Sequence, residues 1–144
     1  MAGQRTEAEK TFRSYTKDQG QNYAQHRMKY NQGLYDDIIS HHTSTGGKLE
    51  NALDLGCGPG TATFAISRTF QNTIGLDPSE GMVSAARSFL SGEPSIANVR
   101  FEVSAAEDIN FSLVPDGSVD LITAATCAHV SLIIRYIMPD MTPC

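Results

Sequence analysis

The stretch Asn51 to Gly60, NALDLGCGPG, constrains this chain more than any other. Ala52, Leu53 and Leu55 read as a short buried strand, and Gly56, Gly58 and Gly60 follow at every second position. Such glycines let the backbone turn sharply and let a ligand approach the main chain. Thr61 to Phe70 then reads as a helix. Strand, glycine turn and helix together are the architecture of a nucleotide pocket in an α/β fold. Gln71 to Leu76 reads as a second strand that ends at Asp77. That places a carboxylate about 20 residues past the first glycine, where an acidic side chain accepts hydrogen bonds from ribose hydroxyls. The other reading of the same residues is a tight turn, with Asp77 capping the next helix.

The order of the glycines narrows the choice of nucleotide. Dinucleotide sites read G-x-G-x-x-G. Here the order is Gly56-Cys57-Gly58-Pro59-Gly60, with Asp54 two places before the first glycine and no G-K-[ST] for a phosphate-cradling loop. This pattern resembles the first motif of the class I S-adenosylmethionine-dependent methyltransferases. The resemblance implies that the backbone around Gly56, Cys57, Gly58 and Gly60 faces the methionine portion of S-adenosylmethionine. It further implies that Asp54 helps hold the ammonium group and that Asp77 binds the ribose.

Upstream, Asp18-Gln19-Gly20 reads as a turn. Asn31 is a plausible N-cap for a helix whose apolar stripe is Leu34, Tyr35, Ile38, Ile39 and His42. Gly46-Gly47 ends it. Tyr23, Arg27, Tyr30 and Leu34-Tyr35-Asp36 resemble the trans-aconitate methyltransferase-like group (methyltransferase type 11 domain), with Met28 where that group has proline. The resemblance implies that this N-terminal cap, residues 1–48, lies over the cofactor and helps form the acceptor pocket. Arg27 then meets an acceptor carboxylate, with Tyr30 beside it; alternatively it is a surface arginine tied to a helix end.

Downstream, Ser79 is an N-cap, and Met82, Val83, Ala86, Phe89 and Leu90 form a helical stripe. The resemblance puts Met82 on the adenine face; its periodicity alone makes it a core residue. Val99, Phe101 and Val103 alternate with polar residues as a third strand, and Val119 to Thr123 reads as a buried fourth. Between them, Ala106, Glu107 and Asp108 match a stretch that in the family sits at the adenine corner, whereas Ala105 replaces a carboxylate found there. Ala124 and His129 fall past the fourth strand, in a segment that resembles one bordering the methyl group and the acceptor. A histidine there is a general base or an orienting group, or has only a structural role.

The resemblance implies an α/β architecture: a Rossmann-like, mostly parallel sheet in the incomplete order 3-2-1-4, with flanking helices and an N-terminal helical cap. The core spans 49–129, and residues 130–144 form a divergent tail. The resemblance stops near His129, so the sequence reads as the front half of such a domain. The edge of the fourth strand is then expected to be open to self-association or a partner chain, with low stability. A hydrophobic fraction of 40%, a charged fraction of 19% and a net charge of −5 fit a soluble globular chain without a nucleic-acid surface. Three cysteines and no paired metal-ligand spacing point away from a disulfide framework and from zinc. The polar N-terminus has no apolar signal region and no run spans a membrane, so a cytoplasmic location is expected. Three functions stay open: a small-molecule methyltransferase, possible acceptors including carboxylic acids; a non-catalytic cofactor-binding or regulatory protein; and, against the glycine order, a nicotinamide-dependent oxidoreductase.

Overall fold

The computed structural model describes residues 16–19, 31–109, 114–115 and 117–124. A four-stranded sheet carries the fold, in the order β3-β2-β1-β4. The strands are β1 (Asn51–Leu55), β2 (Asn72–Asp77), β3 (Val99–Val103) and β4 (Leu121–Thr123). Every pairing is parallel: Leu53 lies opposite Ile74 and Ile122, and Gly75 opposite Phe101. Parallel neighbours need crossovers. Helix α2 (Thr61–Ser67) joins β1 to β2, and α3 (Glu80–Ser91) joins β2 to β3. Helix α1 (Gln32–Ser44) precedes the sheet. This is the order expected from the sequence.

Strand alternation divides the core in two. Leu53, Leu55, Ile74, Leu76 and Ile122 point to one face, where Ile109, Val114, Val119 and Ala106 cover them. On the other face, Ala52 and Leu121 pack with Tyr35 of α1 and with Ala62, Ile66 and Phe70 on or beside α2. Phe101 on that face packs with Cys57, Val83 and Ala86. Coverage on both sides explains why the central strands read as nearly continuous apolar sequence.

Several expectations need adjustment. Helix α2 stops at Ser67 rather than Phe70, and β4 starts at Leu121 rather than Val119. Leu34 is 44% exposed and Phe89 54% exposed, so neither belongs to the buried stripe of its helix. Phe89 instead meets Phe64 in a tilted ring contact, 4.9 Å between centroids. Asp18 and Gln19 are helical rather than part of a turn, and Gly20 of the expected turn lies outside the described residues. Thr16 and Gln19 exchange side-chain-to-backbone hydrogen bonds of 2.9 and 3.2 Å, a capping box that overrides the turn tendency of Asp18. The cap helix α1 forms as expected, with Asn31 accepting from the Gly33 N–H at 2.9 Å. Its buried contacts run along α2, and none of the glycine-turn residues belongs to that cluster.

Polar side chains fasten the ends of the strands. The Asp120 carboxylate accepts from the Asn51 N–H at 2.9 Å, and the Asn51 amide donates to the Ser118 carbonyl at 2.9 Å, which pins the entry of β4 to β1. Asn98 donates to the carbonyls of Ser67 and Phe70, both at 2.8 Å. It thus satisfies carbonyls at the C-terminal end of α2 that no further helical turn reaches. Asn98→Ala is expected to lower stability by about 1–2 kcal/mol, the cost of stranding partly buried acceptors. Urea denaturation would measure it, and an unchanged midpoint would contradict this role.

Candidate functional site

The site is built where β1 and β2 end. After Leu55 the chain enters left-handed backbone at Gly56 (φ 61°), Gly58 (φ 55°) and Gly60 (φ 96°), which only glycine adopts without penalty. The turn is closed by its own main chain. The Cys57 N–H donates to the Leu76 carbonyl, and the Gly60 N–H donates to the Cys57 carbonyl, both at 3.0 Å. Cys57 thereby ties the turn to β2, while its side chain, 2% exposed, packs with Val83, Ala86 and Phe101. Its thiol donates to the Gly58 carbonyl at 3.4 Å.

Asp77 joins the two strand ends. One carboxylate oxygen accepts from the Gly58 N–H at 2.9 Å, the other from the Ser79 N–H at 2.9 Å. The second bond is an Asx turn through Pro78, a local motif that the sequence Asp-Pro-Ser favours. Ser79 then caps α3 by accepting from the Met82 N–H at 3.3 Å. One acid thus holds both the glycine turn and the entry to the next helix. The cap of α3 is therefore Ser79, not Asp77 as the turn-and-cap reading has it; Asp77 acts one step earlier, through the Ser79 N–H.

Asp54 is 2% exposed and sits on the face of β1 that meets α2. Its two oxygens accept from the Thr63 hydroxyl at 2.7 Å and the Thr123 hydroxyl at 2.9 Å. Sequence reasoning missed both threonines. A usable signal was present for Thr63, which lies in the first turn of the helix after the glycines; Thr123 meets Asp54 only through the β1–β4 register.

The other expected site residues gather around the same strand ends. Met82 is 2% exposed in the first turn of α3. Ala106 and Glu107 belong to a 3-10 turn, Ala106–Asp108, that follows β3. Ala106 and Ala124 both pack against the core formed by Leu53, Leu55 and Leu76. Arg27, Tyr30 and His129 lie outside the described residues. A cavity of about 480 Å³ opens at the far end of the sheet, lined among others by Asn51, Asn72, Asn98 and Ser118. It sits at the amino ends of the strands, whereas ligands of open α/β sheets bind beyond the carboxyl ends. The glycine turn and Asp77 occupy that carboxyl end. No cluster of metal-ligating side chains occurs among the described residues, and no helix there is long and apolar enough to cross a membrane.

Residues 52–136 match the family described as "Methyltransferase domain". The chain belongs to the class I S-adenosylmethionine-dependent methyltransferases. A Dictyostelium discoideum protein named as a methyltransferase is 39% identical over 107 residues, covering 74% of this chain and 36% of its own length. The yeast protein CRG1 (Saccharomyces cerevisiae), named as an S-adenosylmethionine-dependent methyltransferase, is 34% identical over 103 residues, covering 72% of this chain and 34% of its own. The chain thus spans about a third of the length of these relatives. Among solved structures, Bacillus subtilis YcgJ superposes with a TM-score of 0.56 at 33% identity, over 70% of this chain and 44% of that one. A Methanococcus maripaludis protein superposes over 95% of this chain and 61% of its own with a TM-score of 0.67; at 17% identity it speaks for the fold alone.

Proposed function

We propose that this chain binds S-adenosylmethionine across the carboxyl ends of β1 and β2 and methylates a small-molecule acceptor. The observation that carries the reading is the 2.9 Å bond from the Gly58 N–H to Asp77, which brings the glycine turn and the acid into one site. The residues present fit the cofactor's chemistry. Asp77 offers a carboxylate to ribose hydroxyls, and the left-handed backbone at Gly56 and Gly58 carries no side chain to hold a ligand off. Asp54 provides a buried negative charge for the methionine ammonium. Met82, Ala106 and Glu107 border the adenine, and Ala124 closes the end of β4. Cys57 and Gly60 knit the turn that carries these contacts.

The bound cofactor supplies an activated methyl on a sulfonium. The protein's task is then to hold donor and acceptor in line and to keep water out. An ionised carboxylic acid needs no general base, which agrees with a sequence holding no evident catalytic pair. Arg27, Tyr30 and His129 are the residues assigned to that acceptor; the likeness of Tyr23 to Asp36 to the trans-aconitate methyltransferase-like group is what supports an acid. An open edge on β4, available for self-association or a partner chain, and a cytoplasmic location complete the proposal. A second reading is a cofactor-binding protein without turnover, since the described residues that fit a ligand here, Asp54, Gly58 and Asp77, all serve the cofactor.

Calorimetric titration of the full chain with S-adenosylhomocysteine and with NAD tests the binding step. Binding of S-adenosylhomocysteine with NAD inert is expected, and preference for NAD would overturn the assignment. Labelled S-adenosylmethionine with a panel of organic acids then separates the two readings. Transfer supports the enzyme; binding without transfer supports the cofactor-binding protein.

A further inference from the structure

The first acid of the glycine motif is held from two sides. Thr63 reaches Asp54 from the first turn of α2, and Thr123 reaches it from the last residue of β4. Thr63 is fully buried. A threonine hydroxyl has one proton to donate, and in both residues that proton goes to Asp54. One hydroxyl on each oxygen fixes the plane of the carboxylate, so the direction of the charge is set by a helix and a strand that β1 alone does not control. In an interior of low dielectric, the orientation of a buried charge counts for more than it does in water.

We propose that Thr63 and Thr123 are positioning residues that aim Asp54 at the charged arm of the cofactor. The inference rests on the cofactor reading above and extends it. The pair governs the amino-acid end of the ligand and leaves the nucleoside end to Asp77.

The test compares two ligands on the full chain. S-adenosylhomocysteine carries the amino-acid arm, and 5′-methylthioadenosine has the same nucleoside without it. Thr63→Val and Thr123→Val remove a hydroxyl and keep the branched shape. Each is expected to weaken S-adenosylhomocysteine about tenfold, the scale of losing one hydrogen bond to a charged group. Binding of 5′-methylthioadenosine should stay within about twofold of the wild type, which also shows that the variants are folded. Thr63→Ser and Thr123→Ser, which keep the hydroxyl, should restore S-adenosylhomocysteine. Parallel losses for both ligands, no loss for either, or no rescue by serine would overturn the inference. If the wild type binds 5′-methylthioadenosine and S-adenosylhomocysteine equally, the arm is not read and the inference fails while the nucleoside site stands. If it binds neither ligand, the cofactor reading fails and takes this inference with it.

Discussion

Asp77→Ala is expected to lower stability by about 2–4 kcal/mol and to remove measurable binding of S-adenosylhomocysteine. The stability figure follows from two backbone donors, Gly58 N–H and Ser79 N–H, that lose a charged acceptor at once. Asp77 is 9% exposed, so water is poorly placed to replace it. Both the turn and the first turn of α3 should loosen. Asp77→Asn is the sharper variant. Its amide keeps one oxygen for one donor but turns an NH₂ toward the other, so the fold should lose less while the ligand still loses its carboxylate. Titration with S-adenosylhomocysteine and its 2′-deoxy analogue isolates the ribose contact. In the wild type the analogue should bind about tenfold or more weakly; in Asp77→Asn the two should bind alike. A gap of the same size in both proteins would show that Asp77 does not read the ribose.

The sequence disclosed the frame because its signals are local. Glycine spacing, the Ser79 cap and the alternation of Val99, Phe101 and Val103 are each set by a few neighbouring residues, and β1, β3 and α3 formed where those signals placed them. The strand order came from the family resemblance, and the pairing β3-β2-β1-β4 matches it. The contacts that complete the site were harder to read because they join positions far apart in the chain. Thr123 reaches Asp54 across 69 residues, and only the β1–β4 register puts them side by side. Periodicity misplaced Leu34 and Phe89 for a related reason. A helical stripe shows which residues share a face, but it does not show how far the neighbouring element extends to cover it. The Thr16–Gln19 capping box is local too, but it competes with the turn tendency of Asp-Gln-Gly, and neither signal alone shows which prevails.

Gly60→Ala should cost about 3 kcal/mol, a large share of the stability of a domain this size. Two separate penalties combine. At φ 96° an alanine sits in left-handed backbone, which costs about 1–2 kcal/mol. Its Cβ would also stand 2.7 Å from Cζ of Phe101 and 2.9 Å from Cε2 of Phe64, closer than packed carbons allow. Those rings cannot easily retreat. Phe64 meets Phe101 edge-on at 5.2 Å between centroids and is backed by Phe89, while Phe101 is 2% exposed. Overpacking of this kind costs about 1–3 kcal/mol. Gly75→Ala separates the two effects. Its Cβ would meet the same ring, 2.7 Å from Cδ1 of Phe101, but its backbone is not left-handed. It should carry only the packing penalty and melt above Gly60→Ala. In a Phe101→Leu background the steric part of both glycine changes should shrink by about 1 kcal/mol, whereas the backbone strain at position 60 should remain. Urea denaturation of the three single and two double variants would show it. Equal costs for Gly60→Ala with and without the Phe101 ring would mean that the ring does not buttress the turn. The glycine would then be required for its backbone alone.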